Sequence, residues 1–199
     1  MTKWTRWFDL DEGGDELRPD EHAFITALQQ ATAQWDVEYA ASWASRDEEE
    51  HPCLIAVLTL SDFAKKISLG EFGVHYRDGR AQGDRLHSCL HELPDEPTPF
   101  ALDVSGIPEQ VGAECAAWFE TILRRPVIHQ QWRHKDHGRL YAEAWKFADS
   151  GDVLSQSYDS AAAPRRQRRR LIRKGFVFGR GWIQVEGIKD PPSGERRVR

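Results

Sequence analysis

The sequence contains little cysteine. Only three occur in its 199 residues, at Cys53, Cys89 and Cys115, and their number is odd. Proteins that depend on disulfides carry paired and more frequent cysteines, so this chain is not expected to be a disulfide scaffold. Scattered free thiols fit a reducing compartment, and we predict a cytoplasmic protein.

Long apolar runs are also missing. The longest, from Cys53 to Leu60, is far shorter than the ~20 residues that a membrane-spanning helix needs. The N-terminus carries Trp4, Trp7 and Asp9 instead of a basic start followed by an apolar stretch, so no secretory signal is recognised. The sequence therefore predicts that no membrane is a partner.

The common signatures of catalysis do not occur. The chain has no glycine-rich phosphate loop, no dinucleotide-binding fingerprint, and no Gly-x-Ser-x-Gly motif around serines such as Ser105 or Ser155. We therefore predict no catalytic residue and no cofactor, and the sequence favours a protein without enzymatic activity. Paired carboxylates for acid-base catalysis cannot be singled out among 32 acidic residues.

Potential metal ligands crowd together at His87, Cys89 and His91. On one strand face they would stand ~6.7 Å apart, so at most two neighbours could bind the same ion. A third ligand would have to come from a later histidine-rich segment, which could also form a site of its own. The residues of that segment are His129, His134, Asp136 and His137. Because no paired Cys-x-x-Cys spacing supports a site, we predict no metal.

Charge is unevenly distributed along the chain. The net charge is -5, yet from Pro164 to the C-terminus there are 12 basic and 3 acidic residues, against 15 basic and 29 acidic residues before it. An acidic surface repels nucleic acid and attracts basic partners, whereas an arginine cluster does the reverse. The two parts of the chain therefore indicate different ligands.

Hydrophobic spacing predicts two amphipathic helices, one from Pro19 to about Gln34 and one between Pro108 and Pro126. Strands are predicted by alternation between Trp35 and Trp43, by the apolar run that begins at Cys53, and by a hairpin around Asp78-Gly79. Further strands are predicted at residues 86–90, 100–104, 127–133 and 139–148. This order predicts an α+β fold with a mostly antiparallel sheet and both helices on one face.

Composition divides the chain into three parts. Residues 1–150 should form the α+β domain, and the Ser/Ala/Gly/Asp stretch 151–163 should be a linker. Residues 164–199 should be a basic tail, whose aromatic segment around Trp182 could form a small hairpin.

The many aromatic residues and the acidic part of the chain before Pro164, which we call the acidic body, indicate a surface that binds another protein. Exposed tryptophans dominate interface energetics, and Trp4, Trp7 and Trp132 are flanked by polar or charged residues. The remaining candidates for contact with a partner form an acidic segment, and they are Asp47, Glu48, Glu49 and Glu50. We predict a non-enzymatic module whose acidic body binds another protein, for which a basic toxin or nuclease is one candidate.

The element order from Phe100 to Trp132 supports that interpretation. A strand, a long amphipathic helix and a strand bearing a tryptophan follow one another there, and this order resembles the closing part of small immunity proteins from polymorphic toxin systems. The resemblance covers a sixth of the chain and assigns no functional residue. It implies a protein that neutralises a toxin by binding it.

The basic tail supports a competing hypothesis. Seven positive charges lie within ten residues, ahead of Phe176, Phe178 and Trp182. Such a segment can attract phosphates and offer flat rings on which unpaired bases stack. The alternative is therefore a nucleic-acid-binding adaptor or regulator. Its predicted contact residues are Arg165, Arg166, Arg168, Arg169, Arg170, Arg173 and Lys174.

Overall fold

The computed structural model describes residues 6–10, 17–47, 52–87, 91–173, 180–182 and 192–199. The chain divides into two units, Met1–Arg124 and Arg125–Arg199. The first unit holds seven elements. They are α1 (Pro19–Thr32), β1 (Ala40–Asp47), β2 (Cys53–Asp62), β3 (Ile67–Arg77), β4 (Arg80–Arg85), β5 (Leu102–Ser105) and α2 (Pro108–Arg124).

The second unit holds a separate sheet and a short helix. Its elements are β6 (Val127–Arg133), β7 (Leu140–Phe147), β8 (Val153–Asp159), α3 (Arg165–Arg173), β9 (Arg180–Trp182) and β10 (Gly194–Arg197). All strand pairings in both units are antiparallel among the described residues. The predicted α+β fold is confirmed, with two five-stranded sheets in place of one.

The sheet of the first unit is a meander in the order β1-β2-β3-β4-β5. Its connections are short where the sequence provides turn residues. Asp78 and Gly79 join β3 to β4 with φ of 51° and 77°, the left-handed conformation that a two-residue hairpin turn requires. The predicted hairpin is therefore confirmed.

Strand β2 is buried on both faces, as its unbroken apolar run predicted. On one face, α1 covers the sheet, and the ring of Phe24 stacks on Tyr76 of β3 at 4.2 Å. On the other face, Ile55 and Val57 form a cluster with Leu86 from the segment after β4. Gly73 makes that packing possible, because a Cβ there would lie 2.4 Å from a methyl group of Leu86.

Two predicted strands differ from the structure. The backbone N–H of Trp35 donates to the carbonyl of Thr32 at 3.0 Å, so Trp35 continues the turn that ends α1, and β1 begins only at Ala40. Strand β4 ends at Arg85, so Leu86 and His87 are not in a strand as predicted, and the rest of that predicted strand, residues 88–90, lies outside the described residues. The N–H of His91 donates to the carbonyl of His87 at 3.2 Å.

The predicted linker over 151–163 contains β8. Leu154, Gln156 and Tyr158 are buried while the residues between them are not, which is the alternation of a half-buried strand. The tail from 164 onwards belongs to the second unit, whose sheet has the order β10-β6-β7-β8-β9. Strand β9 pairs with β8 and β10 pairs with β6, while residues 176–179 and 183–185, which make up most of the predicted aromatic hairpin, lie outside the described residues.

Gly112 permits the close approach of α1 and α2, and we predict that Gly112→Ala destabilises the protein. A Cβ at this position would lie 2.6 Å from the carbonyl oxygen of Phe24 and 3.0 Å from the Cβ of Ala27. The overlap should lower the free energy of unfolding by about 1–3 kcal/mol, despite the better helix propensity of alanine. Urea unfolding measures the change. Gly194→Ala is the control, because nothing lies within 4 Å of its added methyl group, and equal stability of both variants would contradict the prediction.

Candidate nucleic-acid interface

Six of the nine residues of helix α3 are arginine. Pro164 precedes it, and the carbonyl of Pro164 accepts the first helical hydrogen bond from Arg168 N–H at 3.0 Å. Arginine and glutamine have good helix propensity, which explains why a helix forms. The charges oppose it, because like charges four residues apart destabilise a helix and cations are unfavourable in the first turn. The composition of α3 is therefore not explained by helix stability.

Four arginines form one exposed face of α3. Arg165, Arg166, Arg169 and Arg173 are exposed. At 3.6 residues per turn they fall within an arc of about 100°, and we call them the arginine face. Gln167 points away from this arc and is buried, with 6% of its surface exposed. The helix thus buries one side and turns its charged side to solvent.

The guanidinium groups of the arginine face have no hydrogen bond or ion pair with any residue that the structure describes. Arg168 and Arg170 differ from them. Both are half-buried and interact within the protein. Six of the seven basic residues predicted to contact nucleic acid therefore lie on α3, with four of them on one face, and the seventh, Lys174, lies outside the described residues.

Charge separates at the boundary between the two units. Residues 1–124 contain 10 basic and 24 acidic residues, and residues 125–199 contain 17 basic and 8 acidic residues. The net charges are thus -14 and +9. Arginines of α3 and lysines and arginines of the β6–β7 and β10 segments contribute to the positive charge of the second unit.

The predicted protein-binding residues are not brought together within the described part of the chain. Trp4 and Glu48 to Glu50 lie outside the described residues. Trp7 is half-buried, and its indole N–H donates to the carbonyl of Trp35 at 3.0 Å. Asp47 ends β1 opposite Cys53.

Trp132 belongs to the core of the second unit and not to its surface. Its side chain packs with Tyr141, Ala142 and Tyr158, and 6% of its surface is exposed. The polar neighbours that suggested exposure lie on the opposite face of β6, because successive side chains on a strand point to opposite sides. This burial argues against the predicted contact with a partner.

Among the described residues, no group of three or more potential ligands could hold a metal ion. His87 and His91 follow β4 along the chain, and Cys89 lies outside the described residues. His91 contacts Glu71, with 3.6 Å between Nδ1 and Oε2, and its carbonyl accepts a hydrogen bond from Nε2 of His75 at 2.8 Å. The side chains of His75 and His91 are therefore engaged in contacts within the first unit.

Burial lowers the pKa of His75 below its ordinary value of 6.5, and nearby Asp47 opposes the shift. Its unfolded form therefore takes up a proton at higher pH than its folded form, so stability should fall as the pH drops below about 6.5. We predict a weaker pH dependence for His75→Gln, whose amide can still donate to the carbonyl of His91. Urea midpoints between pH 5 and 8 measure this, with exposed His22→Gln as the control. Identical profiles for His75→Gln and the unaltered chain would contradict it.

A partly buried chain of polar side chains crosses three strands of the second unit. Ser157 Oγ donates to Glu143 Oε1 at 3.4 Å, and Glu143 Oε2 lies 3.0 Å from Nε2 of His129, whose ring stacks on Trp145 at 4.3 Å. The serine contacts the carboxylate and not the imidazole. The histidine is thus not placed to activate this hydroxyl as a nucleophile.

The cysteine thiols that the structure describes are buried as well. Burial raises the pKa of Cys53 to about 11 and that of Cys115 to about 12. Both thiols are free. They are protonated at neutral pH and do not provide a reactive thiolate.

Comparisons of the chain with models of known families, with curated proteins and with solved structures give no match. In the part of the chain that the structure describes, no helix is both long and apolar enough to span a membrane. The arginine face is the most concentrated group of available charge among the described residues.

Proposed function

We propose that the protein binds nucleic acid through the arginine face of α3 and acts as an adaptor or regulator in the cytoplasm. The observation that carries the proposal is the set of four exposed guanidinium groups on one arc, none of them paired with a described residue. Guanidinium groups donate paired hydrogen bonds to phosphate oxygens. A row of phosphates would also relieve the mutual repulsion of the arginines along the helix.

The separation of charge supports the same proposal. A polyanion is attracted by the +9 of residues 125–199 and repelled by the -14 of residues 1–124. Approach from solution is therefore directed to one part of the chain. Because phosphate contacts carry no sequence information by themselves, the proposed binding is not specific for sequence.

Fluorescence anisotropy with labelled single-stranded and duplex DNA tests the proposal. We expect the unaltered chain to bind and the variant Arg165→Gln, Arg166→Gln, Arg169→Gln, Arg173→Gln to lose most of the affinity. The matched control removes four exposed positive charges from the first unit through Arg6→Gln, Lys65→Gln, Lys66→Gln and Arg77→Gln. Absence of binding by the unaltered chain, or equal losses in both variants, would overturn the proposal.

A second candidate function follows from the acidic first unit. With a net charge of -14, residues 1–124 would attract a basic protein, as the resemblance to immunity proteins also implies. Trp7 and Asp47 are the predicted contact residues that the structure describes and leaves partly accessible. The partner would be a basic toxin or nuclease.

Charge reversal separates this second candidate from the first. Replacing Asp47, Glu48, Glu49 and Glu50 by lysine should release a basic protein that the unaltered chain retains from an extract of its own cells. Glutamine at Arg165, Arg166, Arg169 and Arg173 should leave that protein bound. If the retained protein also binds the charge-reversed variant, this acidic segment is not its binding surface.

A further inference from the structure

The turn between β6 and β7, residues 134–139, is called the β6–β7 turn. It lies at the same end of the second unit's sheet as the start of α3. Strand β8 runs antiparallel to β7 and ends at Asp159, near the residue that begins β7. Arg139 at the end of the turn contacts Asp159, with 3.4 Å between Nη2 and Oδ2. Asp159 Oδ1 also accepts the backbone N–H groups of Ala161 and Ala162, at 3.0 and 3.3 Å. Arg165, the first residue of the arginine face, follows three residues after Ala162.

Two imidazole rings are stacked within this turn. The rings of His134 and His137 lie 4.1 Å apart between centroids, with 13° between their planes. His134 Nδ1 accepts the backbone N–H of Asp136, and His137 Nδ1 accepts that of Arg139, both at 3.3 Å. His134 is half-buried and His137 is exposed. The turn therefore holds a flat ring in a fixed orientation, with its outer face directed away from His134.

Basic residues flank the stacked rings along the chain. The guanidinium group of Arg133 is held by the carbonyl of Gly138 at 3.2 Å and by Gln131 Oε1 at 3.0 Å, while its residue remains exposed. Lys135 is exposed too. Asp136 offsets one of these charges, and Asp159 partly neutralises Arg139. The turn thus adds fixed cations to the end of the second unit where α3 begins.

From this arrangement, and resting on the proposed function, we infer that the β6–β7 turn and the arginine face together bind single-stranded nucleic acid, with an unpaired base stacked on His137. Surfaces for single strands combine a cationic track for the backbone with rings on which bases stack. In a duplex the bases are already stacked on one another, so the face of His137 offers a duplex nothing comparable. The protein is therefore expected to prefer single strands to duplexes.

The experiment compares two probes of about 12 nucleotides, within the site sizes known for single strands. One is labelled oligothymidylate, and the other is the same sugar-phosphate backbone without bases. We expect His137→Ala to weaken binding of oligothymidylate about 5- to 100-fold and to leave binding of the abasic strand unchanged. His137→Phe should bind oligothymidylate about as well as the unaltered chain. Phenylalanine lacks Nδ1, as alanine does, but it keeps a flat ring on which a base can stack. His22→Ala, an exposed histidine of α1, is the matched control.

The outcomes distinguish this inference from the proposed function. Equal effects of His137→Ala on both probes, no effect on either, or failure of His137→Phe to restore binding would overturn the inference. The proposed function would still stand if neutralising the arginine face abolished binding of both probes. If the unaltered chain binds duplex DNA but neither probe, only the inference is overturned, and if it binds no duplex DNA either, both are overturned.

Discussion

Neutralising the arginine face is expected to make nucleic-acid binding much less sensitive to salt. Each phosphate contact with a single strand contributes about -0.7 to the slope of the logarithm of the binding constant against the logarithm of the salt concentration. Replacing Arg165, Arg166, Arg169 and Arg173 by glutamine should therefore reduce the magnitude of the slope by about 3. Anisotropy titrations at several salt concentrations measure it.

The same slopes give the loss of affinity. If the two lines meet near 1 M salt, a difference of about 3 in slope separates the binding constants by about three orders of magnitude near 0.1 M. Lysine at all four positions is the informative control. It keeps the charge, so the slope should change by less than about 1, while the loss of paired guanidinium hydrogen bonds weakens binding moderately. A glutamine variant with an unchanged slope would show that these arginines do not contact phosphates.

Removal of the buried carboxylate of Glu21 is expected to have the largest effect on stability. Glu21 is fully buried at the start of α1, where Oε2 accepts the backbone N–H of Arg18 at 2.8 Å. Its carboxylate also lies 3.1 Å from Nε of Arg18 and 3.3 Å from Nε of Arg46. These contacts join the start of α1 to the end of β1. Through Arg18, which donates to Asp78 at 2.7 Å, they extend to the β3–β4 turn.

We expect Glu21→Ala to lower the free energy of unfolding by about 3 kcal/mol. Breaking a buried ion pair costs about 3–5 kcal/mol, and the lower end applies because the side chains of Arg18 and Arg46 keep 37% and 21% exposure and can be hydrated. The control is Glu120→Ala, which removes an exposed pair with Arg124 on α2 and should cost about 0.5 kcal/mol or less. Urea unfolding compares the two, and a cost of Glu21→Ala below that of the control would contradict this account.

Local signals predicted the elements of the first unit best. Proline at the start of both long helices and the Asp78-Gly79 turn fix the backbone directly, so α1, α2 and the β3–β4 hairpin were predictable. The alternation that begins at Trp35 predicted a strand too early. There, a local hydrogen bond to Thr32 and a hydrogen bond from Trp7 hold the backbone in the turn after α1, and the second of these depends on a residue distant in sequence.

The second unit was harder to predict for two reasons. In β8 the serines between Leu154, Gln156 and Tyr158 resemble a linker by composition, although every second residue is buried. The strands that complete its sheet, β9 and β10, pair with partners more than 20 residues away. Local patterns of residue types do not predict which distant strands pair.

The candidate site was only partly visible in the sequence. The run of basic residues was evident, but the helix that places Arg165, Arg169 and Arg173 on one face was not predicted, and without it their common direction is unknown. The stacking of His134 on His137 also depends on the conformation of the turn, including the positive φ of 66° at Gly138. A hydrogen-bonded turn of this kind cannot be inferred from residue types alone.

The central claim is that the guanidinium groups of the arginine face contact phosphates. Nuclear magnetic resonance of the arginine Nε–H groups, recorded while unlabelled oligothymidylate is added, tests it directly. The signals of Arg165, Arg166, Arg169 and Arg173 should shift in proportion to the bound fraction, whereas those of Arg18 and Arg46, which contact Glu21, should not. Shifts confined to arginines of residues 1–124, or no shift at saturating oligonucleotide, would contradict the claim.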